Sequence, residues 1–239
     1  MADIQIAIIN ASSLLADTDI TAALPALQTQ ITRDFAPVWG IDATLRFVPK
    51  GQSPLPTEWW LTVIDDPDHA NSLGYHDLTP QGLPIGKIFA RTIATYKESW
   101  TVTASHELLE MLADPNINLT VLEDGPKGGG RLYAYEVCDA CEGDAFGYAI
   151  DGVLVSDFVY PAWFETFQPA GTKFDFSGKI TAPLQLLSGG YISVYDIQGP
   201  ANWTQLTAEA GNMRARPPVG SRRERRTIPV GQRVRSTAY

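Results

Sequence analysis

The rhythm of apolar and polar residues along the chain changes twice, and each change marks a different kind of element. Ile4-Gln-Ile-Ala-Ile-Ile9 is a short, β-branched apolar run that reads as a buried strand. Asp17, Thr18 and Asp19 then offer cap residues before a helical stretch to about Trp39, with Leu24, Leu27, Ile31 and Phe35 on one face. Ala43–Val48 and Trp59–Ile64 read as second and third strands, and Ile85–Ala90 as a fourth. Between the last two, Gly74, Pro80, Gly82 and Pro84 mark a long irregular loop that begins with Asp65-Asp-Pro-Asp-His69.

From Glu98 to Ala113 the period returns to that of a helix, with Val102, Ser105, Leu108, Leu109 and Leu112 on one face and Pro115 ending the run. The remainder reads mostly as β structure. A Gly-rich turn at 125–130 precedes a strand from about Tyr133 to Val137, and the alternating run from Tyr148 to Tyr160 has a turn at Asp151-Gly152. Tyr191–Tyr195 is strand-like, and the globular body closes near Thr207. The expected class is therefore α+β, with a globular domain over residues 1–212 and a separate tail over 213–239.

Charge sharpens that boundary. Residues 1–212 carry 26 acidic and 10 basic side chains, whereas 213–239 carry 1 and 8, so a net charge of about -16 meets a tail of about +7. All eight basic residues of the tail are arginines, which suit bidentate pairing with carboxylates or phosphates. Pro218-Val-Gly-Ser-Arg222 echoes Pro229-Val-Gly-Gln-Arg233, and the segment has too little apolar content for a core of its own. Contacts with a second copy or with neighbouring subunits are the first expectation for it, and a nucleic-acid arm the second.

At 239 residues and 44% apolar content the chain can bury a substantial core. It has no apolar run of the roughly 20 residues a membrane helix needs, and its start lacks the pattern of a secretory signal. A cytoplasmic location is expected, with no membrane partner. The two cysteines, Cys138 and Cys141, build no disulfide framework and lack a second CxxC for a four-cysteine zinc site. The carboxylates around them disfavour thiolates, so ligation of a metal is a better expectation than redox chemistry.

The helix carries Ser105-His-Glu-Leu-Leu-Glu-Met-Leu-Ala-Asp-Pro115, one residue away from the HExxH signature of zinc proteases. Residues four apart share a helix face about 6 Å apart, so His106 and Glu110 can place a ring nitrogen and a carboxylate oxygen on one ion. Glu107 lies about 100° around the helix, where it can act as general base on a water. The competing expectation is an ordinary solvated acidic face, since Glu is a good helix former.

Further ligands can come from Glu136-Val-Cys-Asp-Ala-Cys-Glu142, followed by Asp144. Asp139 and Glu142 are the candidates, with Glu136 in the strand orienting a ligand. His69 and His76, near Asp65, Asp66, Asp68 and Asp77, could add a ligand or a donor to a developing oxyanion. The expected cofactor is a divalent metal, zinc first, with manganese, calcium or iron admitted by the many oxygen donors.

The order of strand, helix, strands, edge strand and motif-bearing helix resembles the N-terminal half of zincin metallopeptidases. SHELLEMLADP, EVCDACE, Val153–Phe164 and PVGSRRERR together resemble a group of largely uncharacterised bacterial and phage proteins described as metallopeptidases, over roughly residues 100–226. The resemblance implies that helix and acidic cluster form one site, that the fold is zincin-like, and that the substrate is a peptide or protein. It also implies an alternative: a non-catalytic virion or assembly protein whose fold a metal staples and whose arginine tail makes intersubunit contacts.

Overall fold

The computed structural model describes residues 4–68, 72–125, 129–199, 202–209 and 212–216. His69 and the tail beyond residue 216 lie outside the described residues. The class is mixed α and β. Strands β1 (Ile4–Asn10), β2 (Ala43–Val48), β3 (Trp59–Ile64), β4 (Gly74–Leu78) and β5 (Pro84–Phe89) form one sheet in the order β2-β1-β3-β5-β4. The first four in that order run parallel, and β4 pairs antiparallel with β5 at the edge. Ile6, Ala7 and Ile8 are consecutive and fully buried, as expected for an inner strand covered on both faces.

Helix α1 (Asp17–Thr29) starts where Asp19 accepts the Ala16 N–H at 2.8 Å. It runs into a π-helical segment, Gln30–Phe35, and a short helix α2 (Ala36–Trp39) that Gly40 ends in a left-handed conformation. The predicted long helix is thus continuous but wider in its middle. There Gln30 turns inward and donates to the Ser156 carbonyl at 2.8 Å, tying the N-terminal sheet layer to the second half of the chain.

The expected loop between β3 and β5 contains a strand. Pro80 and Gly82 belong to the tight connection of a β4–β5 hairpin, in which Thr79 N–H donates to Leu83 O and Gly82 N–H to Thr79 O. His76 is therefore held on an edge strand, buried, and not in a loop. The acids of the preceding turn are engaged elsewhere. Asp65 accepts from Ser12 and Ser13, which holds its carboxyl below the usual range; Asp66 pairs with Arg91 at 2.6 Å and Asp68 with Lys87.

After helix α3 (Ala90–Tyr96) comes helix α4 (Trp100–Ala113), the HExxE helix. Asp144 accepts the Ser99 N–H at 2.8 Å at its start. At its end Asp114 accepts from the backbone of Asn118 and Leu119, both at 3.0 Å, turning the chain at Pro115. The helix packs on β4 and β5 and, across its other side, on β9 (Val153–Val155), which forms a hairpin with β8 (Tyr148–Ile150). A second, antiparallel sheet has the order β12-β11-β10-β7-β6, built from β6 (Thr120–Asp124), β7 (Gly130–Ala134), β10 (Tyr191–Asp196), β11 (Trp203–Glu209) and β12 (Asn212–Arg216). Strand β12 runs across the expected domain boundary at residue 212, pairing with β11 through Arg216.

Gly74 lets α4 lie close to the sheet, and Gly86 makes room for the Leu61 side chain of the neighbouring strand. A Cβ at Gly74 would meet Lys87 O at 2.8 Å, Thr103 Cγ2 at 2.9 Å and Glu107 Cγ at 3.2 Å, and one at Gly86 would meet Leu61 Cδ1 at 2.5 Å. The Leu61 side chain can turn aside, whereas Lys87 O is backbone within the hairpin. Gly74→Ala is expected to cost about 1–3 kcal/mol, the usual penalty for overpacking, and more than Gly86→Ala. Urea unfolding of both variants checks this order, and a Gly74→Ala protein as stable as wild type would contradict the close approach.

Candidate metal centre

Every residue of α4 from Thr101 to Ala113 is buried, including its polar face. This departs from the solvated face that amphipathic helices ordinarily present. The polar side chains instead meet other elements. Thr101 donates to Leu154 O at 2.6 Å, and Ser105 accepts the Ser156 N–H at 2.6 Å while donating to Val102 O at 3.0 Å. His106, Glu107 and Glu110 face a cluster completed by His76 from β4 and by Glu136 and Asp139 from the segment after β7.

Glu110 is the centre of this cluster. Its Oε2 lies 3.3 Å from His106 Nε2 and 3.5 Å from His76 Nδ1, and its Oε1 accepts the Cys138 N–H at 3.2 Å. Asp139 Oδ1 stands 3.3 Å from His106 Nε2, Glu107 Oε2 stands 3.2 Å from His76 Nδ1, and Glu136 Oε2 is 3.8 Å from His76 Nε2. Two sets of three ligand atoms emerge: His106, Glu110 and Asp139, and His76, Glu110 and Glu136, each within 4.8 Å of one another. These are buried His and carboxylate groups geometrically able to hold a metal ion.

Of the residues expected from sequence, His106, Glu110 and Asp139 come together, and Glu107 adjoins them. Glu142 is half-buried just after the 3-10 turn Asp139–Cys141 and belongs to neither set. Glu136 lies beyond the end of β7 and faces His76 directly. His76 was legible only as one loop histidine among others; the Pro-Gln-Gly turn that makes its hairpin was the available signal. His69 lies outside the described residues.

Electrostatics follow from burial. Burial opposes protonation of His106, but Glu110, Asp139 and Glu107 outweigh it and hold the imidazole pKa well above its ordinary value. Cys138 and Cys141 are buried free thiols whose pKa is pushed well up by burial and by neighbouring carboxylates. Neither has the character of a reactive thiolate. Comparison with known proteins finds no matching family model, no matching curated protein and no matching solved structure. Among the described residues no helix is long and apolar enough to cross a membrane.

A second buried acidic feature stands near Cys141. Asp157 and Asp175 are fully buried; Asp157 accepts from the backbone of Phe158 and Ser177, and Asp175 from that of Lys179 and Ile180. Burial, and then the Asp175 carboxyl beside it, push Asp157 up to about 7 from 3.8. A carboxyl raised on folding binds its proton more tightly in the native state. Its stabilising contribution is thus full below about pH 4 and is lost as pH rises to about 7, a change on the order of 4 kcal/mol. Urea unfolding in chelator at pH 5 and pH 8 should show wild type losing more stability with rising pH than Asp157→Asn; equal losses would contradict the assignment.

Proposed function

We propose that this chain is a zincin-like metal-dependent hydrolase acting on peptides, with His106, Glu110 and Asp139 holding a divalent cation and Glu107 serving as general base. The observation that carries the reading is the pair of 3.3 Å separations from His106 Nε2 to Glu110 Oε2 and Asp139 Oδ1. Donors bonded at ~2.1 Å to one tetrahedral ion lie about 3.4 Å apart, so these atoms already have the spacing of ligands. The donor set supports the same reading: four buried carboxylates (Glu107, Glu110, Glu136 and Asp139) stand around two imidazoles, oxygen and nitrogen donors of the kind that hold a divalent cation.

When bound, the ion supplies Lewis acidity that brings the pKa of a coordinated water to about 7. The chain's own residues do the rest. Glu107 faces the same cluster, with one carboxylate oxygen oriented by His76 Nδ1 at 3.2 Å, and takes a proton from water before returning it to the leaving amine. Cys138 N–H orients Glu110 by donating to its Oε1 at 3.2 Å. Zinc is the first choice of metal, and the oxygen-rich donor set also suits manganese, calcium or iron. The sheet with an antiparallel edge strand lying against the HExxE helix supports the zincin-like part of the reading.

A second reading is favoured by the depth of the site: Glu110 is 0% exposed and Asp139 1%. Closed sites are characteristic of structural metals, and such a staple suits a non-catalytic assembly protein. Elemental analysis of the full chain after metal loading is expected to find stoichiometric metal, reduced in His106→Ala and Asp139→Asn. Wild type without stoichiometric metal removes both readings. With metal present, chelator-sensitive cleavage of a mixed peptide library selects the hydrolase, and absence of cleavage selects the staple.

A further inference from the structure

We infer that the centre takes two divalent cations bridged by Glu110, the second held by His76, Glu110 and Glu136. This rests on the proposal that the first set binds metal, and extends it to residues from different elements. The two sets of three ligands share one residue, and each brings its own imidazole and its own further carboxylate. Glu110 supplies an oxygen to each set: its Oε2 is 3.3 Å from His106 Nε2, and one of its oxygens lies within 4.8 Å of the ligand atoms of His76 and Glu136. A carboxylate placed this way is the usual bridge of a two-metal site, whose ions lie about 3.5–4 Å apart.

The second position has its own support. With the Nδ1 proton given to Glu107 Oε2 at 3.2 Å, the His76 ring directs its Nε2 lone pair to the side where Glu136 Oε2 stands 3.8 Å away. A ligating histidine ordinarily donates its other ring N–H to a carboxylate, which fixes tautomer and orientation. Glu107 plays that part here, so a single residue couples the second ligand set to the proposed base.

The probe is Mn2+ alone, added to chelator-treated full-length protein, with bound ions counted by equilibrium dialysis and their coupling read by electron paramagnetic resonance. Wild type is expected to bind two equivalents and to show an exchange-coupled pair. His76→Leu and Glu136→Gln should each retain one equivalent and lose the coupled signal, and near-UV circular dichroism verifies that each variant is folded. One equivalent in wild type, retained in His76→Leu, overturns the second position and leaves the hydrolase reading standing; His76 would then act as an imidazolium counter-ion to its three carboxylates. Two equivalents without exchange coupling also overturn the bridge. Zero equivalents overturn this inference and the hydrolase reading together.

Discussion

Glu107→Gln is expected to lower kcat for peptide hydrolysis by about 10²–10⁴-fold, the usual worth of a positioned general base, while metal content and KM stay near wild type. The amide keeps the shape of the carboxylate, which matters because Glu107 packs where a Cβ on Gly74 would come within 3.2 Å of its Cγ. Its oxygen can still accept from His76, whose Nδ1 lies 3.2 Å from Glu107 Oε2. What it cannot do is take a proton. A fall in kcat with KM unchanged therefore isolates an interaction made only on the way to the transition state. Turnover equal to wild type at matched metal content would sink the assignment.

Glu110→Gln is expected to abolish metal binding and, with it, the stabilisation that metal confers. At a free ion concentration 1,000 times Kd that stabilisation is about 4 kcal/mol. Glu110 is the ligand common to both sets, so its loss reaches further than that of any other residue in the cluster. The variant also loses the Glu110–His106 ion pair at 3.3 Å, so its own chelated form is the reference for the metal effect. Thermal melts with and without metal should thus show a metal-induced rise in wild type and none in Glu110→Gln. A variant that kept the metal-induced rise would show that Glu110 is not a ligand.

Much of the fold was readable from local pattern because strands β1, β2, β3 and β5 carry uninterrupted or alternating apolar runs, and α4 carries a clear helical period. Strand β4 was hidden for a physical reason. Its sequence, Gly-Tyr-His-Asp-Leu, has no apolar alternation, and it is held by backbone pairing to β5 in register from Gly74 opposite Ile88 to Leu78 opposite Pro84. The strand read at Tyr133–Val137 sits earlier, at Gly130–Ala134, because it must pair with β6 and β10. That shift releases Glu136 from the sheet and lets it face His76. The choice between Asp139 and Glu142 was equally closed to sequence, since the 3-10 turn from Asp139 to Cys141 separates them.

By itself the sequence determined that His106 and Glu110 share a helix face with Glu107 beside them, because a 3.6-residue period is a local property of the backbone. It also determined that a second source of carboxylates follows about 30 residues later. Only the tertiary structure decided that this helix face is buried, that His76 and Glu136 join it, and that Glu110 lies between two imidazoles. Those facts depend on which strands pair and on how closely Gly74 lets the helix approach the sheet, and both are set by contacts between residues far apart in the chain.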